Sequence, residues 1–109
     1  MFRLTTPKHT FTFPAPAEEF KRILITYEQD GKIILEKTEQ DLHFEELIEG
    51  GKPVYVAWLQ LTQDETKLFD ADIGRFTVQA RALSKYGDAI AGDKHVFSVQ
   101  AVLDEEVLT

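Results

Sequence analysis

Polar and apolar residues alternate with a period of two along much of this chain, the signature of half-buried β-strands. The cleanest case is residues 75–83, where Phe76, Val78, Ala80 and Ala82 interleave with Arg75, Thr77, Gln79 and Arg81. Residues 9–13 repeat the pattern, Phe11 and Phe13 against Thr10 and Thr12, until Pro14 and Pro16 end the ladder. Residues 20–28 and 32–37 flank an Asp30-Gly31 pair and predict a hairpin. A three-residue loop, 29–31, with Gly31 left-handed in a bulge, pairs Tyr27 with Ile33 and Ile25 with Leu35. That register gathers Ile23, Ile25, Tyr27, Ile33 and Leu35 on one buried face and leaves Leu24 and Ile34 outside.

The acidic stretch 36–49 has weak periodicity and reads as a solvated loop pinned by Phe44, with Leu42, Phe44 and Leu47 offering a short strand as the alternative. Gly50, Gly51 and Pro53 then reset the chain. Residues 54–61 are apolar on both faces. The unbroken series Tyr55, Ala57, Leu59 and Leu61 should face the core, which puts Val54, Val56 and Trp58 on the outer face. Thr62 and Glu65 fit a capping box at the start of one short helical turn, about 62–69, tacked onto the sheets by Leu68 and Phe69. Residues 70–74 turn the chain back. A last strand over 89–91 and 95–101 is interrupted at Gly92-Asp93, the mark of a bulge or edge bend. Residues 1–8 read as a flexible arm and residues 104–109 as an acidic tail. With turn signals every 8 to 12 residues, these elements predict a single all-β domain over 1–109: an immunoglobulin- or fibronectin-like antiparallel β-sandwich of about seven strands.

Composition narrows the function. The chain has 109 residues, of which 43% are apolar and 28% charged, as expected of one folded domain. It has no cysteine, so no disulfide, thiolate nucleophile or cysteine-based zinc site is available. It has no asparagine, so no N-glycosylation acceptor either. A net charge of −7 opposes binding to a phosphate backbone. No apolar run approaches the roughly 20 residues a membrane span needs, and the N-terminus lacks the apolar core of a signal peptide.

Candidate chemistry is sparse. Asp70-x-Asp72-x-Gly74 matches the first half of a calcium loop, but the twelfth position holds Arg81 in place of a bidentate glutamate. His9, His43 and His95 share no ligand spacing, Ser84 and Ser98 lie in no nucleophile elbow, and no glycine-rich phosphate loop is present. No catalytic, cofactor-binding or metal-binding residue emerges. What remains is the outer apolar set Leu24, Ile34, Val54, Val56 and Trp58, a candidate interface if the side chains cluster. Subunit contact, cover by the N-terminal arm and plain exposure are its three explanations. A flat aromatic strand also suits sugar stacking, which keeps a carbohydrate-binding module as the alternative.

Three segments, TPKHTFTFP, ITYEQDGKIILEKTEQD and LQLTQDETKLF followed by VQARALSKYGDAIA, resemble small proteins encoded among the tail and baseplate genes of phages and prophages of Gram-positive bacteria. LTQDETKLF also resembles the immunoglobulin-like N-terminal domain of phage baseplate upper proteins. The likeness spans nearly the whole chain, although YGDAIAGD stands where an aspartate-glycine turn and a serine in the last strand are expected. It implies a non-enzymatic structural or accessory protein, made in the host cytoplasm and destined for the virion. Its partners would be other phage structural proteins or further copies of itself, with no nucleic acid, membrane or cofactor involved.

Overall fold

The structure, a computed structural model, describes residues 1–109. Eight strands form two antiparallel sheets packed face to face. They are β1 (Lys8–Phe13), β2 (Phe20–Gln29), β3 (Lys32–Thr38), β4 (His43–Glu49), β5 (Lys52–Gln60), β6 (Arg75–Ser84), β7 (Ala89–Ala91) and β8 (His95–Ser98), with one short helix, α1 (Gln63–Lys67), between β5 and β6. One sheet runs β1-β5-β4. The other runs β3-β2-β6, and its far edge is formed by β7 and β8, which both pair with β6. These orders correspond to B-E-D and C′-C-F-G of an immunoglobulin-type sandwich, so the strand lacking from the plan is A, beside β1. The fold is an immunoglobulin-like β-sandwich.

The core is where the alternation places it. Ile23, Ile25 and Tyr27 of β2, Phe76 and Val78 of β6, and Ala57 and Leu59 of β5 are buried, and Phe69 closes the end of the layer. Tyr27 meets Phe69 edge-on at 5.8 Å, and Phe69 packs on Phe76 at 4.8 Å. Aromatic pairs in such arrangements add about 0.5–1.5 kcal/mol each beyond their buried area. The capping box forms as drawn: the Glu65 amide donates to Thr62 Oγ1 at 3.1 Å, and Glu65 Oε1 accepts from the Thr62 amide at 2.9 Å.

Four expectations need correction. The β2–β3 loop has two residues, not three: Asp30 and Gly31 both take positive φ, as a type I′ turn requires. A bulge at Ile34 then shifts the register, so Tyr27 pairs with Leu35 and Ile25 with Lys37. Ile33 is left on the outer face, 62% exposed. The stretch 36–49 is no loop, because His43–Glu49 is a full edge strand paired with β5 through a tight Gly50-Gly51 hairpin. α1 is a five-residue helix, and its inward residue is Thr66; Leu68 is 55% exposed.

The N-terminal arm, fourth, is pinned. Leu4 is buried with a left-handed backbone, and Phe2 bridges Gln100 in parallel. The Arg3 amide donates to the Gln100 carbonyl at 2.9 Å, and Thr66 Oγ1 donates to the Thr5 carbonyl at 3.1 Å. The acidic tail folds back over this arm. Glu105 pairs with Arg3, and the Leu108 backbone exchanges two 2.8 Å bonds with the Gln63 side chain.

Two polar contacts, one half-buried and one buried, tie the loops to the sheets. Lys37 lies on the inner side of β3 and forms an ion pair with Glu65 of α1. Burial alone would raise the Glu65 pKa. The Lys37 hydrogen bond, the Thr62 amide and the Lys37 charge outweigh it, and the carboxyl sits below the usual glutamate range. Gln29, buried at the end of β2, spends its whole amide on the 70–75 turn. Its Nε2 donates to the carbonyls of Asp70 and Arg75, both at 3.0 Å, and its Oε1 accepts from the Asp70 amide at 2.7 Å. Replacing it by leucine keeps the volume and strands all three backbone groups. Gln29→Leu should therefore cost about 2–4 kcal/mol of stability, read as a lower urea midpoint with an unchanged slope; a loss under about 0.5 kcal/mol would mean the clamp is idle.

Candidate interaction surface

β5 presents Val54, Val56 and Trp58 on the outer face of the β1-β5-β4 sheet, flanked by Thr10 and Thr12 of β1 and by His43, Glu45 and Leu47 of β4. Trp58 is half-buried because its neighbours lean on it. His43, its direct partner on β4, stacks on the indole at 4.1 Å with 17° between the planes. Lys8, from the opposite neighbouring strand, sets its Nζ 4.4 Å from the ring centroid. The indole N–H donates to Glu45 Oε1 at 3.2 Å. A cation over an exposed indole contributes about 0.5–1 kcal/mol. The result is an aromatic plate fixed in the sheet, with the apolar Val54, Val56 and Leu47 continuing toward the Gly50-Gly51 tip.

The other two residues of the outer apolar set lie elsewhere. Leu24 is on the outer face of β2, beside Thr38 and Arg81, in a shallow hollow with Leu83 and Ile90. Ile34 sits in the β3 bulge and packs onto the core. The outer faces of two stacked sheets point in opposite directions, so the five residues do not form one patch. Val54, Val56 and Trp58 share a face; Leu24 and Ile34 do not join it.

The calcium-like loop is an ordinary turn, since Asp70 Oδ1 accepts from the Asp72 amide at 2.9 Å. No group of three or more histidine or acidic side chains is arranged to hold a metal ion. The helix is too short and polar to cross a membrane.

A second feature was not singled out from the sequence: a cleft of about 660 Å³ along the open side of the sandwich. Lys8, His9 and Phe11 of β1 form one wall, Val78 and Ala80 the floor, and His95 and Phe97 of β8 the other wall. The sequence held a signal for it, because alternation puts His9 on the inner face with Phe11 and Phe13. His9 reaches across the layer, and its Nδ1 lies 2.6 Å from the buried Tyr27 hydroxyl. Its ring stacks on Phe97 at 6.0 Å and 9°. Burial, then the charge of Glu65, push the Tyr27 pKa well above the usual tyrosine value. The phenol stays protonated and hydrogen-bonds the imidazole as a neutral group, with donor and acceptor set by the His9 tautomer.

Burial, then the N-terminal ammonium, lower the His9 pKa from 6.5. Between the lowered value and 6.5, the unfolded chain binds a proton that the folded chain excludes. Folding therefore weakens as pH falls through this window and is unaffected by His9 above it. His9→Gln keeps an acceptor and removes the titration. Its melting temperature should change less between about pH 7.5 and pH 5 than the wild type's, and equal slopes would show that His9 is not coupled to folding.

No protein-family model matches the chain, and no curated protein matches it. Among solved structures it is similar to murine CRIg at 7% identity, covering 94% of this chain and 89% of that one with a TM-score of 0.43. It is also similar to the V domain of amphioxus IgVJ-C2 at 8% identity, covering 94% and 97% with a TM-score of 0.36. The assignment of the fold rests on the strand order and pairing described above.

Proposed function

We propose that this chain is a non-enzymatic structural or accessory protein of a phage or prophage of Gram-positive bacteria. It works through protein–protein contacts in a tail or baseplate, with other structural proteins or further copies of itself. It is made in the host cytoplasm and carried in the virion. The resemblance of its segments to tail- and baseplate-cluster proteins supports the setting. The observation that carries the mode of action is the outer face of β5, where Val54, Val56 and a braced Trp58 make a flat apolar surface in a chain of net charge −7. Aromatic residues held rigid in this way give large contact area at little entropic cost on binding.

The rival reading is a carbohydrate-binding module, since an indole on an open sheet face is also a sugar platform. The cover over Trp58 weighs against it, because a sugar would have to displace His43 or Lys8 before stacking. Light scattering and glycan binding separate the two. A complex with co-expressed tail proteins that is lost in Trp58→Asp and Val54→Asp while the melting curve holds supports the assembly reading. A monomer that binds cell-wall polysaccharide, and loses it in Trp58→Ala, would sink that reading.

A further inference from the structure

We infer that β1 is the pairing edge of a symmetric dimer, in which β1 of a second copy of this chain adds antiparallel to it and occupies the vacant position of strand A. Sheet edges invite strand addition, and proteins usually blunt them with charge, bulges, interruptions or cover. Three of the four edges here are blunted. β4 carries Glu45, Glu46 and Glu49. β3 carries Lys32, Glu36 and Lys37 together with the Ile34 bulge. The β7–β8 edge is broken at residues 92–94, and residues 1–3 bond along its continuation at 98–100.

β1, KHTFTF, has no proline, bulge or acid, and its single guard is Lys8 at one end. It pairs with β5 alone, without register shifts. The Leu61 amide donates to the Pro7 carbonyl, so by the alternation of an antiparallel ladder residues 7, 9, 11 and 13 bond to β5. Lys8, Thr10 and Thr12 then point their N–H and C=O groups outward.

Two observations select a second copy as the occupant. The first is register. A two-fold axis at Thr10 pairs Thr10 with itself and Lys8 with Thr12 of the other chain, completing about six ladder bonds with no like charges opposed. His9 and Phe11 then face each other across the seam, above the cleft floored by Val78 and Ala80 and open to the half-exposed Phe97. The second is charge. All 19 acidic residues lie at position 18 or beyond, so the first 17 residues, with Arg3 and Lys8, form the longest acid-free stretch of the chain, and Asp93 is the one acid lining the cleft beside it. Two copies of net charge −7 repel over most of their surface and least through this edge.

The test uses the full chain. Sedimentation over a wide concentration range should give twice the chain mass for the wild type, with slow hydrogen exchange at the Thr10 and Thr12 amides. Thr10→Pro removes an outward N–H that β5 does not use, and Thr10→Lys sets two cations across the axis. Each should halve the mass, raising the dimer dissociation constant roughly tenfold or more, while circular dichroism and melting stay near wild type. In Thr10→Lys the Thr12 amide should exchange fast. Val54→Asp, on the sheet face beyond the end of β1, should stay dimeric. A wild type that is monomeric throughout, or a dimer that both Thr10 variants leave intact, overturns the proposal. Loss of the dimer in Val54→Asp alone would assign self-association to the sheet face and overturn edge pairing.

Discussion

The two sheets are each held by their own backbone ladders, and one side-chain hydrogen bond joins them: His9 on β1 to Tyr27 on β2. A phenol buried in an apolar core without a partner costs several times what its hydrogen bond contributes net. Tyr27 is fully buried, so its hydroxyl dictates that β1 bring a hydrogen-bonding partner to that spot. Phe69 and Phe76 pack around the same ring and fix the end of the helical connection and the start of β6. Gln29, two residues along the same strand, clamps the turn that follows. One stretch of β2 thus sets the sheet-to-sheet position, the corner and the loop at once.

Much of this was legible because alternation in half-buried strands is a direct image of burial. The inner series of β5 and β6 and the Thr62–Glu65 cap are local patterns read at their own positions. What escaped reading depends on partners distant in sequence. Gln29 is polar and adjoins Asp-Gly, which argues for a loop, yet its amide is satisfied by residues 70–75 and it stays in the strand. With Gln29 in β2, the turn shrinks to two residues and the bulge at Ile34 takes up the difference. β4 is an acidic edge strand open to solvent on its outer face, so composition made it resemble a loop; its pairing with β5 is a backbone matter. The candidate interface broke up because a single strand pattern does not tell which of two outer faces a residue joins, which separated Leu24, and because the bulge turned Ile34 onto the core.

The same reasoning separates surface from edge. The Trp58 face offers side chains, held by Lys8 and His43, to a partner that matches a shape. The β1 edge offers backbone groups, which any extended strand can satisfy, so its selectivity comes from charge and register. Lys8 belongs to both: its ammonium covers the indole while its main chain lies on the open edge.

The bridge of residues 1–3 to residues 98–100 has a mechanical meaning. These two segments run parallel. Tension applied to the two ends of the chain draws them in opposite directions along their length, so the bonds from Met1 to Ser98, Arg3 to Gln100 and Gln100 to Met1 resist together in shear. A hairpin pulled from its open end yields one bond at a time. Under force this domain gives way as a unit, at a rate set by its unfolding barrier, and a chain strung through such modules would keep its length until that barrier is crossed.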